Sequence, residues 1–226
     1  GVRICFVVYD LLPILRPDCF IDGADQFFGT WLHSAAQLAD KLICISGAVA
    51  HELRAWLSDV ALPRPDLPAV GFFHLGSELP PMVLHGQLQG QEQQLVDYCQ
   101  QQPSFLMVGT IEPRKAHAQA LAAMELLWRH GISANLIIIG KQGWLVDKLI
   151  EQIKNHPEQG KRLIWLEGAN DHRLEQLYKR SAALLNPSEG EGFGLPLVEA
   201  ARHGLPILAR DIPVFREVAG EHAWYF

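Results

Sequence analysis

Pro187-Ser188-Glu189-Gly190-Glu191-Gly192-Phe193-Gly194-Leu195-Pro196-Leu197-Val198-Glu199-Ala200 follows an apolar run, Ala182-Ala183-Leu184-Leu185-Asn186, that reads as a buried strand. Glycines at alternate positions free the backbone to approach a ligand. Pro196 suits the start of a helix, because the amide it lacks would have no intrahelical partner there. The loop therefore empties onto a helix N-terminus, where unpaired amides and the helix dipole favour an anion. A strand, a glycine loop and a helix in this order indicate an α/β fold with a phosphate-bearing ligand at the loop.

Two carboxylates bracket the turn. With a helix starting near Pro196, Glu199 falls in its first turn, while Glu191 lies upstream on the loop. The two acids can then reach different parts of one extended ligand, with the amides of Phe193, Gly194 and Leu195 facing its phosphate, as in a nucleotide-sugar site. The competing reading is a solvated turn in which Glu199 pairs with Arg202 or His203 along the helix.

Two further segments have the same build. Phe105-Leu106-Met107-Val108 reads as a strand and runs into Gly109-Thr110-Ile111-Glu112-Pro113-Arg114-Lys115-Ala116-His117. Ile137-Ile138-Ile139 runs into Gly140-Lys141-Gln142-Gly143-Trp144. In an open parallel sheet, ligands bind beyond the carboxyl ends of the strands. Arg114, Lys115 and the glycine loop are therefore expected on one edge of one sheet. The alternative is that Arg114 and Lys115 form surface pairs with Glu112.

Taken together, these segments resemble the family 4 (group 1) retaining glycosyltransferases. A Ser, an EGFGLP core and a second Glu after seven intervening residues are similar to that family's signature. Gly109–His117 resembles its G-T-x-E-P-R-K-N-H segment, with Ala116 in place of the usual Asn. Gly140–Trp144 resembles its G-K-x-G-W. The resemblance extends over nearly the whole chain and implies a GT-B architecture. It implies a C-terminal Rossmann-like domain complete in its donor-site part, preceded by a truncated N-terminal Rossmann-like domain. The chain has no initiator Met and enters a strand almost at once, so it is expected to be a fragment of a longer enzyme.

The resemblance also implies roles. Glu191 would orient the donor sugar near its anomeric carbon and stabilise charge there, without acting as a covalent nucleophile. Glu199 would take the nucleotide ribose. Arg114 and Lys115 would hold the departing diphosphate, with Gly192, Phe193, Gly194, Leu195, Gly109, Thr110, Gly140 and Lys141 completing the donor site. Tyr9 and Asp10 are acceptor-side candidates. Transfer would proceed with retention and without a metal, since the chain has no Asp-x-Asp pair. No other cofactor is implied. Two departures stand out: Tyr9 occupies a position where many members have His, and Thr110 one where many have Arg. Tyr9-Asp10-Leu11-Leu12-Pro13-Ile14 and Ile45-Ser46-Gly47-Ala48-Val49 are similar to mannosyltransferases of bacterial polysaccharide assembly. GDP-mannose is thus favoured over UDP-glucose as donor, and a saccharide or lipid-linked saccharide as acceptor.

Composition narrows the rest. The 226 residues carry a formal charge of -6 with mixed signs, which argues against a nucleic-acid partner. No apolar run approaches the roughly 18 residues of a membrane span, so any membrane association would be peripheral. The expected location is the cytoplasm or the inner face of the membrane. The four cysteines form no C-x-x-C pair and are expected to be buried free thiols. His33, His51, His74 and His117 read as surface or helix histidines, with His117 the most suggestive because it follows the basic pair.

Strands alternating with helices set the organisation. Residues 1–76 are read as a partial N-terminal, acceptor-side domain, with a helix over 24–39, a strand over 41–46 and Ser46 capping the next helix. Residues 77–103 are a linker and a polar, Gln-rich helix. Residues 104–226 are the nucleotide-sugar-binding domain, with strands near 105–108, 135–139, 163–166, 182–185 and 206–209. Gly204 ends the helix that begins at the glycine loop. A NAD-dependent oxidoreductase is a competing class, but Gly190-x-Gly192-x-Gly194 is not G-x-G-x-x-G and no acidic residue follows a second strand at the required distance. A catalytically silent nucleotide-sugar-binding module and a sugar-nucleotide epimerase remain as alternatives on the same scaffold.

Overall fold

The computed structural model describes residues 2–76, 98–99 and 101–226. The expected linker and Gln-rich helix fall almost wholly outside the described residues. The chain divides into two compact units. The first runs to Gly76 and also takes Gly190–Gly194 and Ile212–Gly220; the second takes the remainder.

In the first unit β1 (Cys5–Val8), β2 (Lys41–Cys44) and β3 (Ala69–Phe72) form a parallel sheet in that order. Helix α1 (Leu12–Leu15) and α2 (Ala24–Leu38) join β1 to β2, and α3 (Gly47–Asp59) joins β2 to β3. On α3, Val49, Ala50, Leu53 and Leu57 recur at helical spacing and are all buried, which presses that face into the core with Leu32, Ala36 and Leu42. The Ser46 hydroxyl accepts from the Val49 amide at 3.2 Å, the expected N-cap. Such a cap stabilises a helix by about 1 kcal/mol. Cys19, Cys44 and Cys99 are buried free thiols, but Cys5 is exposed, against expectation. It opens β1, which among the described residues lies at the edge of its sheet, with a paired strand on one flank only. Burial pushes the Cys44 and Cys99 thiols up to about 11, which leaves both without thiolate character near neutral pH.

The second unit holds β4 (Ser104–Val108), α4 (His117–Arg129), β5 (Asn135–Ile139), α5 (Asp147–Lys154), β6 (Leu163–Leu166), α6 (Asp171–Arg180), β7 (Ala183–Asn186), α7 (Leu195–Arg202), β8 (Ile207–Ala209) and β9 (Trp224–Tyr225). Its six strands are all parallel, in the order β6-β5-β4-β7-β8-β9. The chain fills the sheet outward from β4, then returns to the middle at β7 and fills the other side. That is the strand order of the doubly wound nucleotide-binding sheet, and β4 and β7 flank its switch point. Every residue of β5 is buried, as covering a parallel strand on both faces requires. Its Leu136 and Ile138 meet Leu121, Met124 and Trp128 of α4 and Ile150 and Ile153 of α5 in one core. Gly204 has φ +66, and the backbone beside it closes α7 as expected, with Leu205 N donating to Ala200 O at 2.9 Å.

Three elements went unanticipated, the first being the single turn of α1, where a loop was expected to follow the first strand. Strand β9 is only two residues long, too short to show periodicity. Helix α8 (Pro213–Ala219), opened by a proline, groups with the first unit.

Candidate functional site

In the second unit, the segments after β4, β5 and β7 are laced together by backbone hydrogen bonds. Gly109 N donates to Ile139 O, Ile111 N to Lys141 O and Gly143 N to Ile111 O, each at 2.9 Å. The two strand ends approach so closely that a Cβ on Gly140 would stand 1.9 Å from Gly109 O. Only glycine fits there. The Lys115 side chain folds back over the end of β4, its Nζ 3.6 Å from where a Cβ of Gly109 would be. Thr110 is half-buried beside it, and Lys141 is exposed.

Arg114 is less simply placed. Its Nε sits 2.8 Å from Glu112 Oε2, with the two side chains only 15% and 8% exposed. The pairing with Glu112 weighed from the sequence is thus present, but as a largely buried pair rather than a surface one. A pair of this kind fixes the guanidinium, and removing one partner would strand the other charge.

The start of the glycine loop is tied to the same edge. Glu189 N donates to Arg114 O at 2.8 Å, and Arg210 Nε donates to Pro187 O at 2.8 Å. Arg210 also reaches Gln119 through Nη2. Ser188, fully buried, donates to Asn186 Oδ1 at 2.7 Å. Helix α7 begins at Leu195, immediately after Gly194 with its φ of +99. Because Gly194 completes the turn one residue earlier than expected, Glu199 lies just beyond the first turn rather than within it. Its Oε2 accepts from the Tyr178 hydroxyl at 2.5 Å, and the Tyr178 ring stacks on His203 with centroids 5.5 Å apart. Neither pairing of the competing reading, with Arg202 or His203, is the one made by the Glu199 carboxylate.

Residues Gly190–Gly194 group with the first unit. A Cβ on Gly192 would lie 2.3 Å from Tyr9 O, and Ser46 Oγ donates to Gly192 O at 2.8 Å. The loop is thus threaded between the end of β1 and the start of α3. Phe193, 5% exposed, sets its ring 5.8 Å from that of His74. His74 Nε2 in turn lies 2.6 Å from Glu217 Oε1, and the Glu217 carboxylate accepts from the Gly47 and Ala48 amides at 2.7 Å each. Burial opposes the Glu217 charge, yet those amides and His74 hold its carboxyl below the usual range. Glu191 is half-buried on this loop. Tyr9 is exposed, and Asp10 Oδ1 accepts from Leu12 N at 3.0 Å at the start of α1.

The second unit therefore brings together Gly109, Thr110, Arg114, Lys115, Gly140 and Lys141 beyond β4 and β5, and carries Leu195 and Glu199 on α7. The first unit holds Tyr9, Asp10, Glu191, Gly192, Phe193 and Gly194. His117 is not a surface histidine: it is 3% exposed at the first position of α4, with no hydrogen bond to Nδ1. Burial, then the Lys115 charge, lower its pKa to about 4. Sequence reasoning missed Tyr178, Arg210, Glu217 and the engagement of His74. Tyr178 alone carried a local signal, as a phenol on the buried side of α6 beside Leu177.

The described helices include none long and apolar enough to cross a membrane. The family model for glycosyl transferases group 1 matches residues 97–224. A serotype-specific mannosyltransferase, WbdA of Escherichia coli, is 50% identical over 229 residues, an alignment covering 100% of this chain and 28% of that protein. O-antigen chain mannosyltransferase B of Escherichia coli is 34% identical over 117 residues, covering 51% of this chain and 30% of that protein. Among solved structures, sucrose-phosphate synthase from Thermosynechococcus elongatus superposes with a TM-score of 0.73 at 19% identity, covering 98% of this chain and 54% of that one. HepE of Anabaena, in complex with UDP and glucose, superposes with a TM-score of 0.68 at 18% identity, covering 99% and 57%. The fold is that of the GT-B glycosyltransferases. The chain spans less than a third of these curated relatives and a little over half of the solved structures.

Proposed function

The chain belongs to the group 1 glycosyl transferases, and from that premise we propose that the protein transfers mannose from GDP-mannose to a growing polysaccharide or lipid-linked saccharide, with retention and without a metal. One observation carries the reading. The Gly109–Lys115 and Pro187–Glu189 segments leave the two central strands at the switch point of the sheet, and the Glu189–Arg114 backbone bond joins them there. A parallel sheet of this order takes its nucleotide beyond those strand ends.

In this reading Lys115, held over Gly109, and Arg114, oriented by Glu112, receive the negative charge that grows on the diphosphate as the glycosidic bond breaks. Fixed charges need not reorganise at that moment, and a donor of this kind contributes about 2.7–4 kcal/mol to lowering a barrier. The amides at the start of α7 add the positive end of a helix dipole. Glu199 takes the ribose, and Glu191 orients the donor sugar and stabilises charge at its anomeric carbon. Residues 1–76 then serve the acceptor and residues 104–226 the donor, with work at the inner face of a membrane through peripheral association. The names of the similar mannosyltransferases support mannose as the sugar.

The test is turnover by the full-length protein with GDP-mannose or UDP-glucose, with and without EDTA, and the anomeric configuration of the product read by proton NMR. Mannose transfer with retention, unaffected by EDTA, is expected. Turnover of UDP-glucose alone, inversion, or loss of activity with EDTA would each remove the corresponding part of the proposal. A second reading, a silent binder, draws on Tyr9 standing where many relatives have His; binding of GDP-mannose without any product would establish it.

A further inference from the structure

We infer that Tyr178 is a positioning residue of the nucleotide site, locking Glu199 so that one of its carboxylate oxygens is held ready for the ribose. The inference rests on the proposed assignment of Glu199 and goes beyond it, because it explains how a glutamate on a short helix keeps a single orientation. Tyr178 sits near the end of α6, 2% exposed, and its hydroxyl donates to Glu199 Oε2 at 2.5 Å. That is the length of a charge-assisted O–H···O⁻ bond, about twice the strength of a neutral one. Among the described residues, Oε1 makes no hydrogen bond or ion pair. One oxygen is thus fastened to the scaffold and the other is left as an acceptor, which is what a hydroxyl-bearing sugar ring needs.

The surroundings keep the phenol a donor. Burial, the Glu199 charge and the hydrogen bond to it push the Tyr178 pKa above its ordinary range. The ring itself is clamped by His203, stacked at 17° between planes. His203 lies one turn beyond Glu199 on the same chain segment, so clamp, phenol and carboxylate form one small assembly between α6 and the end of α7. Burial, with Lys179 and Arg202 nearby, lowers the His203 pKa, while Glu175 and Glu199 oppose that shift. A neutral imidazole stacked on the phenol places no cation beside the Tyr178–Glu199 bond.

The experiment measures GDP and 2′,3′-dideoxy-GDP binding by calorimetry to the wild-type chain and to Tyr178→Phe, Glu199→Gln and the double variant. Thermal melts establish that each is folded. Tyr178→Phe keeps the ring, the stack and the burial, and removes only the hydroxyl. It should weaken GDP about five- to tenfold, the size of one lost hydrogen-bond contribution. It should leave the dideoxy nucleotide unchanged, and in the Glu199→Gln background it should add little. Equal weakening of both nucleotides would overturn the inference, since a structural role alone would produce that. So would wild-type affinity for GDP in Tyr178→Phe when Glu199→Gln has lost it. If the wild-type chain binds GDP no better than its dideoxy form, the assignment of Glu199 itself fails, and this inference with it.

Discussion

Protonation of His117 should cost the second unit stability, and the size follows from where the residue sits. It is 3% exposed, its Nδ1 has no hydrogen bond, and burial followed by the Lys115 charge lowers its pKa to about 4. In an unfolded chain a histidine titrates near 6.5. The folded state therefore binds this proton less well than the unfolded state. The contribution is fully present above pH 6.5 and is lost progressively as pH falls towards about 4. The gap between 6.5 and about 4 corresponds to about 3 kcal/mol at 1.36 kcal/mol per pH unit. That is a large part of the 5–15 kcal/mol typical of a domain. Urea unfolding of the wild type and of His117→Gln, followed by tryptophan fluorescence at intervals from pH 7.5 to 4.5, isolates the effect. The variant has no group to protonate at this position, so its stability should decline less steeply below pH 6.5, whatever its value at pH 7.5. His203, also lowered by burial, contributes in the same direction in both proteins and cancels in the comparison. Parallel pH profiles, or an NMR titration placing His117 near 6.5, would refute the reasoning.

Gly140→Ala would put a methyl 1.9 Å from the Gly109 carbonyl oxygen, a backbone atom flanked by the Gly109 N–Ile139 O and Ile111 N–Lys141 O bonds, so insoluble expression, or a loss of about 3 kcal/mol in urea unfolding, the upper end for overpacking, is expected. Gly168→Ala, with nothing within 4 Å, should be close to neutral in the same assay. Lys115→Ala should weaken GDP binding by about tenfold or more, the scale of a hydrogen bond to a charged group, while Cys99→Ala leaves it unchanged; equal affinities would contradict the placing of the diphosphate. Ala116 holds φ +52, a left-handed conformation that costs a non-glycine residue about 1–2 kcal/mol and that Asn tolerates better. Ala116→Asn should therefore raise the melting temperature by a few degrees, and an unchanged or lowered value would show that relief of the turn does not exceed the cost of placing an amide at a site only 8% exposed.

Helices and strands were legible because their causes are local. The α3 cap needs only a serine three residues before the amide it accepts from, and the close of α7 needs only a glycine at the turn. Strands β4 to β8 could be read directly from their apolar runs, whereas β9, two residues long, and the order of the strands in the sheet could not. What escaped were side-chain partners far apart in sequence. Glu217 reads as one more charge on a short helix until the fold sets its carboxylate on the amides of Gly47 and Ala48. With that bond made, α8 groups with the first unit, although its residues lie past β8 of the second. Gly192 belongs to the same class. Its glycine looked like freedom to approach a ligand, yet in the structure the backbone it approaches is that of Tyr9, at a distance no side chain permits. The two uses are compatible: a loop drawn tightly against β1 and α3 is a rigid loop, and rigidity is what fixed donors and acceptors require if they are to meet a transition state without reorganising.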